Sequence, residues 1–334
     1  MANYINNATV LSALTVYRDE LSAKEILTES VFSARTLGIV KIEYGVKGTQ
    51  TINLITSQPV FQNAQCGLLS GTGSVTFGQQ NITVNDLMIQ EDLCYVGSGT
   101  LTKYFTGMSM NKGIKVDDIT PQIFAKAYMT DKMLKIGDYV EAAIWQGSTS
   151  GTQYYSGQYN LTLSNGFLYN MYQTSASQSI IYGNTYSGGT YSGALTVSNA
   201  IAVLNNLISY IPQTIADKQL YLFCSLTNFR TITNALITSN NYHYTAVDRQ
   251  IYTGWEIDYP FLPTLKIVAT SGLVGRNDLV LTYADNLYVG FDGEHDYEKF
   301  DVWDSLDLNA IRFRAMFRIG TAIAYPQYVV VYPG

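Results

Sequence analysis

Cysteine, histidine and charge are all scarce in this chain of 334 residues. Its three cysteines, Cys66, Cys94 and Cys224, are odd in number and widely spaced, with no C-x-x-C pair. That spacing argues against a disulfide framework or a thiolate zinc site and fits buried free thiols. Only two histidines occur, His243 in an Asn/Tyr-rich loop and His295 in an acidic stretch. A Ser–His–Asp hydrolase would have to use one of them, yet no G-x-S-x-G is present, and Gly107-Met-Ser-Met-Asn111 lacks the closing glycine of a tight nucleophile turn. Charged residues make up 14% of the chain, against about a quarter in an ordinary globular protein. With 20 Lys plus Arg and a net charge of −6, broad electrostatic capture of nucleic-acid phosphates is excluded. No apolar run approaches the ~18 residues of a membrane span. The N-terminal stretch has no basic segment ahead of its broken apolar run, so it does not read as a secretory signal.

Uncharged polarity and tyrosine take the place of charge. Hydrophobic residues reach 47% and aromatics 13%, including 27 tyrosines, which is ample for a globular core. A surface of Asn, Gln, Ser, Thr and Tyr repels neighbouring chains less than one rich in Lys and Glu, and Tyr suits positions half buried against another chain. Residues 148–196 contain no Lys, Arg, Asp or Glu, and they hold eight tyrosines between Tyr154 and Tyr191. They read as short strands and exposed loops. No internal repeat has a solenoid or propeller period.

Residues 1–21 are Asn-rich and lack helical period, which predicts an extended arm. Ser22-Ala-Lys-Glu25 fits a capping box for a short helix to about Arg35. Alternating segments Ile39–Tyr44, Thr51–Ile55, Val75–Phe77 and Asn81–Val84 predict strands, with a hairpin turning at Gly78–Gln80. A two-stranded ribbon of that kind is marginal alone and needs a neighbour. The clearest helix is 121–146: Thr120 caps it, Pro121 suits the first turn, and Gly147 stops it. At 26 residues it would run roughly 39 Å, the length of a strut. Farther on come a helix capped by Ser198, the strand Gln219–Cys224, a helix capped by Ser225, and the strands Leu265–Thr270 and Leu279–Tyr283. This order predicts a mixed α/β layer.

Two stretches invite a chemical reading. Gly71-Thr-Gly-Ser-Val-Thr-Phe-Gly78 is glycine-rich, but no Lys-Ser/Thr follows and strands flank it, so it reads as a turn rather than a phosphate loop. Asp292, Glu294, Asp296, Glu298 and Asp301 could ligate a hard cation, but the spacing of a calcium loop is absent. The simpler expectation is a solvated bend facing arginines on a neighbouring strand or subunit. Tyrosine-rich loops would also suit the stacking of sugar rings. No catalytic residue, cofactor or metal ligand is assigned.

The last sixty residues add a more specific pattern. The strand Leu279–Tyr283 is followed by Tyr288-Val-Gly-Phe-Asp-Gly293 and an acidic-aromatic stretch. A basic strand with Arg312, Arg314 and Arg318, a small-residue strand and a closing proline complete it. Together with the preceding arm, hairpin and long capped helix, this order resembles tailed-phage major capsid proteins of the Hong Kong 97 type. The resemblance implies an α+β fold in five parts: an N-terminal arm (1–38), an E-loop hairpin (39–90), a P-domain with its spine helix (91–147), a mixed α/β A-domain (148–290) and returning P-domain strands (291–334). It also implies that the function is the lattice itself, with hexamers and pentamers closing into an icosahedral shell around double-stranded DNA in the virion, and assembly in the host bacterial cytoplasm.

On that resemblance Val75, Phe77, Ile82 and Val84 are expected as assembly contacts of the hairpin. Asp292, Glu294 and Asp296 are expected to meet Arg312 and Arg314 across charged patches. The implied partners are other copies of the chain, a separate scaffolding protein, a portal, decoration proteins and the packaged DNA, without a membrane. A covalent crosslink finds no motif, although Lys41 and Lys47 lie in the hairpin region. Two other readings stay open: an encapsulin-type compartment shell, and a tail or adhesin β-protein that binds glycans.

Overall fold

The computed structural model describes residue 12 and residues 34–60, 73–94, 121–150, 161–172, 180–186, 189–190, 193–239, 255–292, 299–305, 307 and 310–334. The capping box at Ser22, both histidines, Glu294, Asp296 and the Gly107 segment lie outside them.

The long helix forms where its period places it, as α1 (Pro121–Gln146). Met129, Ile136, Val140 and Ile144 line its buried face, at spacings of seven, four and four residues that return to one side of the helix. Trp145 ends that stripe fully buried, its ring 5.3 Å from Phe167 and 5.1 Å from Phe223. Phe167 opens the short α2 (Phe167–Tyr172), which packs on the same face.

Two sheets flank this helix. The first contains β1 (Lys41–Tyr44), β4 (Asn85–Cys94), β12 (Leu287–Asp292), β13 (Lys299–Ser305) and β14 (Ala310–Ile323). At fourteen residues, β14 organises it. It pairs with β13 along Ala310–Met316, with β12 along Arg318–Ile323, and with β4 along Ala310–Ile319. Strict alternation gives β14 two faces: Phe313, Ala315, Phe317 and Ile319 join the core, while Arg312, Arg314, Met316 and Arg318 point away from it.

The second sheet is six-stranded, in the order β5-β15-β11-β8-β10-β9. Its strands are β5 (Ile181–Tyr182), β8 (Leu220–Cys224), β9 (Glu256–Asp258), β10 (Leu265–Ala269), β11 (Leu279–Tyr283) and β15 (Val330–Tyr332). The strands predicted as apolar runs, β8, β10 and β11, are its centre. Phe223, Val268, Val280 and Val331 face the cluster around α1, and Leu222, Ile267, Leu281 and Val330 face a second cluster. That second cluster is completed by α3 (Ala200–Ser209) and α4 (Leu226–Thr238) through Val203, Leu204, Leu207, Ile232 and Leu236. Ser225 caps α4 as its sequence position suggests, its hydroxyl accepting from the Asn228 amide at 3.3 Å. The Ser198 helix instead begins at Ala200, and its N-cap is Asn199.

The hairpin differs from the expected one. Gly78–Gln80 is the middle of a single strand, β3 (Ser74–Thr83), which pairs with β2 (Thr49–Gln58) in a ribbon ten residues long on each side. Gly78 sits opposite Leu54, whose Cβ lies 3.7 Å from where a Cβ on the glycine would be, so side-chain packing fits the missing atom there. The strand after Val84 leaves the ribbon as β4 and joins β14. A pair of two-residue strands, β6 (Thr185–Tyr186) and β7 (Gly189–Thr190), lies within the tyrosine-rich segment.

Candidate functional site

Three features stand out once the elements are placed: the open face of the ribbon, the outward face of β14, and a buried carboxyl group where α1 meets the 34–38 segment and the end of β10.

One face of the ribbon is polar near its root and apolar toward its far end. Thr49 faces Thr83, Thr51 donates to Asn81 at 3.0 Å, and Gln79 donates to Asn53 at 3.2 Å. Beyond that ladder Ile55 and Phe77 are directly paired and are 62% and 75% exposed, with Val75 beside them. A β-pair of aromatic and branched residues left in water at this level is an unusual apolar surface for a single chain. The opposite face at the root is closed: Ile82 and Val84, with Val46, Tyr288, Ala322 and Ala324, make a small third core against which Ile52 and Leu54 pack. Ile82 and Val84 were expected among the assembly contacts. They are buried within the chain itself, because β3 bends onto the first sheet there, so the open apolar surface belongs to Val75, Phe77 and Ile55.

The outward face of β14 satisfies its own charges. Arg312 donates to Asp92 at 2.8 Å and Arg314 to Asp301 at 2.6 Å, while Arg318 reaches both Asp86 and Asp292. Arg314 also lies over the Trp303 ring, 5.1 Å from its centroid. Of the acidic bend, Asp292 and Asp301 thus meet Arg318 and Arg314 on a neighbouring strand of the same chain. Asp292 is the one buried partner, and Arg318 neutralises it at 3.2 Å. Among the described residues no group of three or more His, Cys, Asp or Glu could hold a metal ion.

Sequence reasoning missed Glu141. It sits on α1 one turn before Trp145 and is buried. The Thr36 amide donates to its two oxygens at 3.2 and 3.1 Å, and the hydroxyls of Thr36 and Thr270 both donate to Oε1. Trp145 Nε1 in turn donates to the Thr36 hydroxyl at 2.7 Å. One carboxyl group therefore ties the 34–38 segment, the long helix and the end of β10 together. Burial raises its pKa above the ordinary glutamate value, against the opposing pull of the Thr270 and Thr36 hydrogen bonds and the Arg35 charge. A cavity of about 550 Å³ opens beside it, lined by Arg35, Asp131, Lys135, Asp138 and Trp255 among others. Both signs of charge line it, so it presents no single field to a ligand.

The backbone as a whole is similar to chains in solved phage structures. A chain from the satellite phage P4 procapsid, solved with the size determination protein, aligns over 96% of this chain and 95% of its own length. Its TM-score is 0.58 at 11% identity. The fold is that of a tailed-phage major capsid protein. Chains from Gordonia phage Cozz (TM-score 0.52, 11% identity, 90% of this chain and 86% of that one) and Mycobacterium phage Adephagia (0.50, 11%, 90% and 89%) are similar to this chain in the same way. No protein-family model matches the chain, and no curated protein matches it in sequence. At 11% identity the likeness to capsid chains lies in the path of the backbone. The side chains described above have to be judged on their own geometry.

Proposed function

We propose that this chain is the major capsid protein of a tailed double-stranded DNA phage, which tiles hexamers and pentamers into a closed icosahedral shell of the Hong Kong 97 type. The observation that carries this reading is the ribbon. A rigidly rooted two-stranded arm presents Ile55, Phe77 and Val75 to water, on a chain whose backbone follows that of phage capsid chains. Burying each such side chain against a neighbour contributes about 1.5–3 kcal/mol, and a closed shell repeats that gain at every subunit.

In this reading residues 1–38 are the arm, 39–90 carry the ribbon as E-loop, 91–147 lead into and form the spine, 148–290 are mainly A-domain, and 291–334 are the returning strands. Scaffold, portal and decoration proteins act as separate partners, and the DNA is enclosed without sequence-specific contact. The weak cationic character of the chain suits a lining along which a polyanion can move.

Negative-stain imaging of the expressed protein tests this directly: closed, uniform particles are expected. Stable small oligomers that bind sugars and never close would overturn it in favour of a tail or adhesin. Particles that copurify with an enzyme and exclude DNA would assign the chain to a compartment shell.

A further inference from the structure

The root of the ribbon is built around an absence of side chains. Gly290 on β12 and Gly320 on β14 are directly paired across the sheet, so that register has no side chain on the outward face. The bare strip is bounded by the Asp292–Arg318 ion pair at the next outward position and by Tyr288 and Ala322 at the one before. The end of β3 lies in it. A Cβ on Gly320 would stand 2.0 Å from the Thr83 carbonyl oxygen and 2.9 Å from the Val84 Cα; one on Gly290 would stand 2.6 Å from Ile82 Cγ2. Ordinary contact begins at 3.4 Å, so a side chain at Gly320 must move the backbone of the ribbon, and one at Gly290 must displace the packed methyl groups of Ile82 and Val84.

Both strands turn out of the sheet at this point. β3 crosses Gly320 and becomes β4 at Val84, whose neighbour Asn85 pairs at once with Ile319. β1 becomes β2 through Gly45 and Gly48, which take φ of +72° and +87°. The two corners are tied by the Val84 amide donating to the Gly48 carbonyl at 2.8 Å. The ribbon is thus seated in a groove. Its far end lies about 30 Å away at roughly 3.4 Å per residue, so a small shift at the root is magnified at Phe77.

We propose that the Gly290–Gly320 pair is a positioning site that sets the angle at which the ribbon leaves the body, and through it the spacing of neighbouring copies. This rests on the capsid reading, since the ribbon's angle matters only if its far end meets another subunit. Adding one methyl group at Gly320 pushes on the ribbon's backbone, and at Gly290 on the Ile82 and Val84 side chains beneath it, in both cases without touching its exposed apolar face. Removing atoms from the other side of the same contact, with Ile82→Ala, lets it settle differently.

The test compares wild type, Gly290→Ala, Gly320→Ala and Ile82→Ala, each checked for folding by circular dichroism and thermal melting and imaged by cryo-electron microscopy after assembly. In the unassembled Gly320→Ala chain, amides at 80–84 are expected to exchange at least about tenfold faster, while those of β8 and β11 keep their protection. Assembled variants are expected to show an altered particle diameter or a loss of closed particles. A variant that merely weakens the fold lowers the melting temperature and leaves the diameter unchanged. Should Gly320→Ala fail to fold, Gly290→Ala and Ile82→Ala carry the same test. Wild-type diameter and subunit spacing in the variants that fold would overturn the positioning role. Failure of the wild type to assemble would instead sink the capsid reading on which it rests.

Discussion

At the scale of single residues, Glu141 has the plainest consequence for pH. Its folded pKa is raised, so the folded chain holds that proton where the unfolded chain has released it. The stabilising contribution is complete below the ordinary glutamate pKa of about 4.3 and is lost as pH rises through the raised folded value, each unit of separation being worth about 1.4 kcal/mol. Glu141→Gln keeps the size and cannot ionise. We expect its melting temperature to gain on the wild type as pH increases above about 4.5. Parallel melting curves for the two across that range would show that the carboxyl does not titrate as its burial demands.

The arginines of β14 make a second residue-scale case. Arg318→Ala would leave the buried Asp292 carboxylate unpaired, at a cost of about 3–5 kcal/mol in urea unfolding. Arg312→Ala removes a pair whose side chains are partly in water and should cost at most about 1 kcal/mol. Equal losses for the two would mean that Asp292 finds other solvation. Neither Glu141 nor Asp292 could be weighted from sequence. Each was one acid among many, and the groups that decide its environment lie far away: Thr36 is 105 positions from Glu141, and Arg318 is 26 from Asp292.

Elements with local signals were legible. α1 was readable because its apolar period and its first-turn proline lie within its own 26 residues. The central strands β8, β10 and β11 were readable because both faces are buried, which demands short continuous apolar runs. The ribbon was legible as to its existence but not its pairing. Gly78-Gln-Gln80 looks like a turn, and what keeps it extended is β2, whose Leu54 sits opposite Gly78. Ile82 and Val84, expected as assembly contacts on the resemblance, lie on the closed face at the ribbon's root. The open face that remains gives the element's own prediction. Phe77→Asp should change the melting of the chain by no more than about 0.5 kcal/mol, because the ring makes little contact at home, and should abolish closed particles in the microscope. Normal particles from that variant would detach the apolar face from assembly.

The whole molecule divides its interior unevenly. The second sheet lies between two apolar clusters, with α1 and α2 on one side and α3 and α4 on the other. Of the boundaries in the five-part division implied by resemblance, the one at 148 coincides with a shift in composition, the start of the charge-free stretch 148–196. The global charge pattern was easier to anticipate than its wiring. Asp292, Glu294 and Asp296 were expected to meet Arg312 and Arg314 across charged patches; within this chain Asp292 pairs with Arg318, Arg314 with Asp301 and Arg312 with Asp92, and Glu294 and Asp296 lie outside the described residues. Among the described residues the β14 arginines are all neutralised within the subunit and are not left to hold its neighbours. Particle yield should therefore change little between low salt and 1 M NaCl, where the screening length falls to about 3 Å. A steep loss of particles with salt would mean that charges outside these pairs govern association.

The doubly covered sheet has one more consequence. Val280 and Leu281 are adjacent on one strand yet belong to different clusters, so neither cluster can come apart without stripping the back of the other. Calorimetry of the isolated subunit should record a single endotherm for helix strut and mixed layer together, however separate the two look when drawn as domains.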